Sequence, residues 1–284
     1  MHVFKDKVCI VTGSASGIGL EIVKQLSEYG ATVIIADVNM EEAIKVAKEI
    51  NDRGGKAEAA YVDVTDSGSV EALVNGAADR YGRLDYMFNN AGITVIGDFR
   101  DLPLAEIKKV LDINLNGVLH GSHYAYQVMA RQGFGHIVNT ASGYGLTPGP
   151  THSPYVTSKF GVVGLSECLR YEGADLGIKV STVCPGYIRT SLVENVRTYN
   201  ADPKEIVSGI PVKLVEPDNA VRIILREVSR NRAIIKFPSY VGVLTFLYRF
   251  MPSLFKRHAL KEIRRFRSIR NAGAGKKLSE EAQV

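Results

Sequence analysis

The chain has 284 residues, 45% of them hydrophobic and 23% charged, a composition typical of a globular protein with a large core. No run approaches the roughly 18 uninterrupted apolar residues of a membrane-spanning helix. The chain has 35 Lys/Arg and 30 Asp/Glu residues, and residues 249–277 contain ten of the basic residues and one of the acidic ones. The rest of the chain has 25 basic and 29 acidic residues, and this balance excludes a general nucleic-acid-binding function for the body of the protein.

Apolar strand-like runs alternate with helical patterns through residue 237. Most of the strands are near-continuous runs of β-branched residues, as in strands buried on both faces. Seven are predicted, at 7–13, 31–37, 57–64, 84–92, 135–142, 178–186 and 232–238. Helices are predicted at 14–29, 41–53, 67–81, 104–132, 154–176 and 217–230.

This alternation predicts an α/β fold with a parallel sheet covered by helices on both faces. We expect a doubly wound Rossmann fold of about seven strands, forming one dinucleotide-binding and catalytic domain over residues 1–237. The pattern then changes, and residues 238–284 are predicted to form a basic, amphipathic C-terminal extension. One or two helices are expected around Pro252, followed by a disordered tail over 271–284.

The stretch TGSASGIG, starting at Thr12, follows the first strand and opens the first helix. Its glycines, Gly13, Gly17 and Gly19, permit a tight turn whose helix N-terminus offers free amides to a pyrophosphate. The spacing matches the usual dinucleotide fingerprint only loosely. The context of strand and helix nevertheless favours cofactor binding over a plain glycine-rich turn.

Asp37 ends the second strand, 24 residues after Gly13. A carboxylate there can accept hydrogen bonds from an adenosine ribose and would repel a 2′-phosphate, and no cation stands nearby in the sequence. The cofactor is therefore predicted to be NAD and not NADP. The alternative role for Asp37 is as a helix N-cap, for which Asn39 would serve as well.

Ser142, Tyr155 and Lys159 form the predicted chemical site. Ser142 ends the fifth strand, and the functional crevice of a doubly wound sheet lies outside the carboxyl ends of its strands. Ser153 is a good N-cap and Pro154 a good first helical residue, so Tyr155 falls in the first turn. Lys159 is one turn further on the same helix face.

The charge of Lys159 bears on the acidity of Tyr155. A phenol has a pKa of about 10, and lowering it to about 7 takes roughly 4 kcal/mol. An ammonium about 5 Å away supplies roughly 3 kcal/mol at an effective dielectric constant of about 20. The helix N-terminus adds about 0.5 kcal/mol or more, and an oxidised nicotinamide would add positive charge nearby. We therefore expect Tyr155 to act as a general acid or base near neutral pH, while Ser142 holds the reacting oxygen.

Together these features resemble the short-chain dehydrogenase/reductase family. The matching motifs agree in order and spacing over about residues 4–236; they are TGSASGIG, NNAG from Asn89, Asn114 within INLNG, Ser142, YVTSK from Tyr155, and Pro185-Gly186. The resemblance implies that Ser142 binds the substrate oxygen, that Tyr155 transfers the proton, and that Lys159 contacts the nicotinamide ribose and modulates the pKa of Tyr155. It also implies that Asn114 anchors a proton-relay water.

The cofactor site is predicted from the glycine loop, the strand ends and this resemblance. Asp63 and Val64 are expected beside the adenine, and the resemblance places Ile188 and Thr190 at the carboxamide end. The predicted cofactor-binding residues are Gly13, Ser16, Gly17, Ile18, Gly19, Asp37, Asp63, Val64, Asn90, Ala91, Gly92, Tyr155, Lys159, Pro185, Gly186, Ile188 and Thr190. No metal site is predicted, because His120 and His123 have no third ligand nearby.

The substrate walls are predicted in the loops after the motif-bearing strands. Residues 94–96, 143–146 and Tyr187 are largely apolar, and 186–215 is expected to be a mobile lid with Leu192, Val193 and Ile206 as apolar contacts. We therefore expect a hydrophobic secondary alcohol or its ketone, steroid-like or similarly bulky. An NADP-linked 3-oxoacyl reductase is one alternative, and Asp37 speaks against it.

The C-terminal extension leaves two alternatives open. Its apolar side chains could cover the substrate entrance or a neighbouring subunit, which we favour, or rest on an anionic membrane through residues 238–270. A membrane-peripheral lipid-binding scaffold is accordingly a second alternative function. The resemblance implies a dimer or tetramer paired through helices 104–132 and 154–176. The polar chain start and three scattered cysteines predict a cytoplasmic protein.

Overall fold

A computed structural model describes residues 2–281, with side chains through residue 270. Seven strands form one parallel sheet, which confirms the predicted doubly wound Rossmann fold. They are β1 (Val8–Thr12), β2 (Thr32–Asp37), β3 (Lys56–Tyr61), β4 (Tyr86–Asn89), β6 (Gly135–Thr140), β7 (Ile178–Pro185) and β9 (Ile234–Phe237). Their order in the sheet is β3-β2-β1-β4-β6-β7-β9. Two short parallel strands, β5 (Val95–Ile96) and β8 (Arg197–Thr198), pair outside this sheet.

Helices connect the strands and continue past the last of them. Those up to the fifth strand of the sheet are α1 (Gly17–Glu28), α2 (Met40–Asp52), α3 (Ser67–Tyr81), α4 (Leu104–Leu111) and α5 (Gly117–Gln132). The later ones are α6 (Ser153–Glu172), α7 (Ser191–Glu194), α8 (Pro203–Ser208), α9 (Pro217–Ser229), α10 (Ser239–Phe250) and α11 (Pro252–Glu281).

Several predicted boundaries were wrong. The helix predicted over 104–132 is interrupted by a π-helical turn at Asp112–Asn116, a widened turn that periodicity alone does not signal. The strand predicted over 57–64 ends at Tyr61, so Asp63 and Val64 lie in the turn that follows it. The helix predicted over 154–176 ends at Glu172, where Gly173 takes the C-cap position.

The sheet is buried because successive side chains of each strand enter two different cores. In β1, Cys9 and Val11 pack on one face with α1, α2 and α9, whereas Val8 and Ile10 pack on the other with α3 and α5. All five residues of β1 are buried. The apolar run without polar alternation is therefore explained by helices on both sides of the sheet.

A buried polar network joins two strands to the helices that cover them. The Asn89 amide on β4 donates to Asn139 Oδ1 on β6 at 2.8 Å and to Ser122 Oγ on α5 at 3.2 Å. The Asn139 amide in turn donates to Ser166 Oγ on α6 at 2.9 Å. Gly121 lets α5 approach this network, since a Cβ there would lie 1.9 Å from Asn89 Oδ1.

The C-terminal extension forms two helices that break at Met251 and Pro252, as predicted. Arg267 on α11 donates to Asp98 at 2.9 Å, and Arg270 donates to Asp101 at 2.7 Å, so the helix is tied to the segment after β5. Within the described residues no helix has both the length and the apolar character of a membrane span. The structure continues α11 through Glu281, where the sequence predicted a disordered tail over 271–284; residues 282–284 lie outside the described part of the chain.

Replacing Gly121 by alanine should destabilise the fold, because the added methyl group displaces Asn89. We expect the free energy of unfolding to fall by about 1–3 kcal/mol, the usual effect of overpacking a core. Gly76→Ala in α3 is the matched control, since no atom lies within 4 Å of a Cβ there, and it should stabilise by up to about 1 kcal/mol. Urea unfolding measures both; equal changes would show that Gly121 has no packing role.

Candidate functional site

A cavity of about 860 Å³ opens at the carboxyl ends of the central strands. It runs from the loop after β1 to the C-terminal helices. The predicted site residues along its wall are Gly13, Ser16, Gly17, Ile18, Asp37, Asp63, Val64, Asn90, Ala91, Gly92, Ser142, Tyr155, Lys159, Pro185, Gly186, Ile188 and Thr190. Two predicted residues, Gly19 and Asn114, lie behind this wall.

The glycine loop lies so close to the end of β4 that side chains at its glycine positions would clash. Gly13 has a φ of +62°, and a Cβ there would lie 2.7 Å from Ala91 Cα. A Cβ on Gly19 would lie 2.2 Å from the Gly13 carbonyl oxygen. Thr12 Oγ1 fixes the same contact by accepting hydrogen bonds from the backbone amides of Asn90 and Ala91.

The first helix presents unbonded amides to the cavity. Ser16 occupies the N-cap of α1, but its side chain makes no capping hydrogen bond, and among the side chains described no other satisfies the first N–H groups. A helix N-terminus of this kind, reached through a glycine turn, suits the pyrophosphate of a dinucleotide. The residues present therefore fit the predicted cofactor.

Asp37 is fixed at the far end of the same loop. One carboxylate oxygen accepts from the Ala15 amide and the other from the Asn39 amide, both at 2.9 Å. Asn39, and not Asp37, is the N-cap of α2, where its side chain accepts from the Glu42 amide. The alternative role of Asp37 as a helix cap is therefore wrong, and its carboxylate borders the cavity instead.

Tyr155 and Lys159 meet as their spacing predicts. Lys159 Nζ lies 5.5 Å from the centroid of the Tyr155 ring and donates to the Thr140 carbonyl oxygen at 2.7 Å. The predicted cap was wrong by one residue: α6 begins at Ser153, His152 holds the N-cap position, and Ser153 Oγ has no hydrogen-bond partner among the described atoms. Tyr155 still falls in the first turn.

Burial decides the protonation of this pair. It raises the pKa of Tyr155 to about 12, which the neighbouring Ser142 hydroxyl only partly opposes, and lowers the pKa of Lys159 to about 8. The expected near-neutral pKa of Tyr155 counted Lys159, the helix N-terminus and an oxidised nicotinamide together; without the nicotinamide, burial dominates. Desolvation of the phenolate is the largest cause of the raised pKa, and a pairwise sum of charges does not include it.

Asn114 lies in the π-helical turn and supports the wall from behind. Its Oδ1 accepts from the Ile93 amide and its Nδ2 donates to the Ile93 carbonyl oxygen, both at 2.8 Å. Nδ2 also donates to Ser158 Oγ at 3.3 Å. Its side chain thus fixes the loop after β4 in place. The relay-water role implied by the resemblance stays a prediction.

Two tyrosines border the part of the cavity beyond Tyr155. The hydroxyl groups of Tyr144 and Tyr187 lie 2.9 Å apart, and the His152 ring lies 5.0 Å from that of Tyr144. The Tyr187 amide donates to the hydroxyl of Tyr240, on α10, at 2.8 Å. Most of the wall residues expected at this end do line it; they are Thr94, Ile96, Gly143, Tyr144, Tyr187, Leu192, Val193 and Ile206, whereas Val95, Gly145 and Leu146 do not.

The C-terminal helices contribute to the cavity wall, in agreement with covering of the substrate entrance, one part of the favoured alternative for the extension. The additional lining residues are Tyr240, Val241, Val243, Leu244, Phe255, His258, Ala259, Glu262, Arg265, Phe266 and Ile269. Seven of them, from Phe255 to Ile269, recur at helical spacing, which does signal a buried helix face. Nothing in the sequence indicates which surface that face covers.

The lid segment, residues 186–215, is tied to its surroundings by backbone pairing. Ile188 bridges to Val215, and β8 pairs with β5. Thr190 approaches Gly17, so the lid segment meets the first turn of α1.

The two histidines of α5 contact separate partners: His120 bonds the Val64 carbonyl oxygen, and His123 bonds Gln127.

Residues 7–201 match the family described as short chain dehydrogenase. Cyclohexanol dehydrogenase of Acinetobacter sp. is 35% identical over 240 residues, covering 84% of this chain and 94% of that protein. The 3-oxoacyl-[acyl-carrier-protein] reductase of Thermotoga maritima is 33% identical over 227 residues, covering 78% and 89%. A Burkholderia phymatum short chain dehydrogenase/reductase, solved in complex with NAD, superposes with a TM-score of 0.81 at 24% identity, over 88% of this chain and 95% of that one.

Lys159→Met should stabilise the isolated protein below pH 8. A lysine with a folded-state pKa of about 8, against 10.5 for its ordinary value, opposes folding fully below pH 8, and the penalty disappears as pH rises through 10.5. Removing the buried charge should add about 2 kcal/mol at pH 7, after allowance for the lost hydrogen bond to Thr140. Urea unfolding of both proteins checks this; a difference that does not shrink between pH 8 and 10.5 would contradict it.

Proposed function

The chain belongs to the short chain dehydrogenase family, and from that premise we propose an NAD-dependent oxidoreductase that acts on a hydrophobic secondary alcohol or its ketone. Membership of the family makes the chain an oxidoreductase that acts on CH–OH groups. NAD as the cofactor and a bulky, steroid-like substrate are the finer parts of the proposal. One observation carries it: a phenol, a buried ammonium and a serine hydroxyl meet beside an uncapped helix N-terminus.

Tyr155 is proposed as the group that moves the proton. Burial keeps its phenol protonated at neutral pH in the cofactor-free protein, so it stands ready to donate a proton to a carbonyl oxygen in the reduction. In the oxidation it accepts the hydroxyl proton of the substrate, which requires a lower pKa. Lys159 is the cation placed to lower it.

Ser142 and the backbone around it are proposed to hold the reacting oxygen. Its hydroxyl accepts from the Tyr144 amide at 3.2 Å, which fixes its orientation at the end of β6. A fixed donor aimed at the substrate oxygen stabilises the charge that develops there without reorganisation. The nicotinamide, when bound, supplies the hydride acceptor or donor, and in its oxidised form a positive charge.

We propose that the cofactor lies along the predicted residues. The α1 N-terminus with Gly13, Ser16 and Gly17 takes the pyrophosphate, and Asp37 takes the adenosine ribose. The remaining contacts follow the prediction, with Asp63 and Val64 at the adenine; Asn90, Ala91 and Gly92 along the middle; and Pro185, Gly186, Ile188 and Thr190 at the nicotinamide end. Gly19 has no side chain and so allows the first turn of α1 to lie close to the Gly13 carbonyl oxygen.

The chemical character of the wall supports a hydrophobic substrate. The substrate end is bounded by apolar residues of the lid segment and by Phe255 and Phe266 of α11. The one arginine among its described lining residues, Arg265, donates through Nη1 to the Gly209 carbonyl oxygen. The catalytic unit would be residues 1–237, with 238–284 completing the wall. A cytoplasmic dimer or tetramer stays a prediction.

Tyr155→Phe should abolish turnover without unfolding the protein. Loss of the proton donor and acceptor should lower kcat by at least about 100-fold, the low end of general acid–base contributions. NADH formation over a panel of alcohols, from cyclohexanol to sterols and hydroxyacyl thioesters, measures this. Tyr171→Phe, at an exposed position on α6, is the matched control. Turnover that survives in Tyr155→Phe would refute the mechanism, whereas absence of turnover in the wild type as well would favour a non-catalytic lipid-binding scaffold.

Asp37→Ala should relax the preference for NAD. The carboxylate excludes a 2′-phosphate by like-charge repulsion, so its removal should raise the ratio of kcat/KM for NADP to that for NAD by about 100-fold. Initial rates with each cofactor measure the ratio, and Asp52→Ala on the exposed end of α2 is the control. A wild-type preference for NADPH with rapid turnover of 3-oxoacyl thioesters would instead identify a 3-oxoacyl reductase.

A further inference from the structure

The C-terminal helix pair, α10 and α11, exposes apolar and basic side chains together. The two helices pack through the rings of Tyr248 and Phe255, whose centroids lie 5.2 Å apart. The exposed apolar residues are Val243, Phe246, Phe250, Met251, Leu254 and Leu260. The exposed basic residues are Arg249, Lys256, Arg257, Lys261 and Arg264. We call these eleven residues the exposed surface of the helix pair.

The exposed apolar side chains of this surface lie next to one another, unlike the single exposed apolar residues found on most protein surfaces. Phe246 and Phe250 are 55% and 68% exposed, and their rings lie 4.9 Å apart one turn from each other on α10. Val243 continues the same helix face one turn earlier and is 57% exposed. A contiguous apolar stripe of this kind marks an interaction site.

The cations of the helix pair divide into two sets. Arg265, Arg267 and Arg270 bond to the Gly209 carbonyl, Asp98 and Asp101, and so attach the helix to the body. The five basic residues of the exposed surface form no ion pair or hydrogen bond within the side chains described through residue 270. Their charge is therefore not required to hold the helix in place and is available to an external anionic partner.

The charge also argues against a second copy as the partner. A twofold interface places the same patch of each copy against itself. Here that would bring five cations of one copy against five of the other, with no carboxylate in the patch. Like charges brought together in this way destabilise the contact. A nucleic acid would accept the cations but leave the aromatic and aliphatic side chains in water.

We propose that the exposed surface of the helix pair docks on an anionic lipid bilayer. Cations and apolar side chains exposed together on a helix pair suit the boundary between charged head groups and acyl chains. Val243 and Leu244 of α10 also line the cavity, so docking brings the cavity mouth to the bilayer. A lipophilic alcohol could then enter from the membrane; this last consequence rests on the proposed function, whereas the docking does not.

Co-sedimentation of the full chain with vesicles tests the docking. Binding should be strong to phosphatidylcholine mixed with phosphatidylglycerol and weak to phosphatidylcholine alone. Lys261→Gln with Arg264→Gln should lower the partition coefficient on mixed vesicles roughly 30-fold, since each basic residue near such a surface contributes about 1 kcal/mol. The control pair, Arg53→Gln with Lys56→Gln, makes the same charge change beside β3, at the opposite edge of the sheet from β9.

A second pair of variants tests the apolar contribution. Phe246→Ser with Phe250→Ser should lower binding to mixed vesicles at least about tenfold. Tyr61→Ser with Tyr171→Ser, which removes two exposed rings elsewhere, should leave binding unchanged. None of the substituted residues of the helix pair lines the cavity, so oxidation of cyclohexanol, if the proposed function holds, should persist in both variants.

Three results would overturn the proposal. Equal binding to both kinds of vesicle would show that charge plays no role. Equal losses of binding in the control pairs would show that this surface is not the docking site. An oligomer of the wild type that dissociates on Phe246→Ser with Phe250→Ser, observed by sedimentation velocity, would assign the surface to a second copy. Cyclohexanol oxidation by Tyr155→Phe tests the proposed function alone. A failure of the proposed function can therefore be distinguished from a failure of the docking proposal.

Discussion

A buried ammonium group is the constraint around which the cavity is arranged. Lys159 is 2% exposed, and its one described hydrogen bond goes to the Thr140 carbonyl oxygen at 2.7 Å. A charge so enclosed lowers the stability of the fold unless it is paired or loses its proton. The protein retains it one helical turn from Tyr155, where a cation is needed only when a proton leaves the phenol. The buried ammonium group thus lowers the stability of the fold but provides the cation that proton transfer requires, a trade-off common at functional sites.

The parts of the protein that the sequence predicted well depend on short-range patterns. Apolar runs located all seven strands of the sheet, and the spacing of Tyr155 and Lys159 placed both on one helix face. The parallel topology then brought Ser142 and the glycine loop to the same edge. Each step needed only local periodicity and the rule that loops at the carboxyl ends of parallel strands converge.

The parts that could not be predicted depend on distant contacts or on solvation. The acidity of Tyr155 is governed by how completely the surrounding loops exclude water, and a pairwise sum of charges omits this. The π-helical turn at Asn114 depends on contacts with the loop after β4. The placement of α11 depends on Asp98 and Asp101, which lie 169 residues away from their arginine partners.

The route of the chain gives the C-terminal wall one more consequence, which concerns synthesis. Phe266 packs with Ile96, Val196 and Ile206, residues that leave the ribosome well before it does. The sheet ends at Phe237, so its strands can pair while the last helices are still being made. During that interval the mouth of the cavity is an uncovered apolar surface, of the kind that chaperones bind. A nascent chain stalled before residue 266 would therefore expose the very surface that the finished protein offers to its substrate.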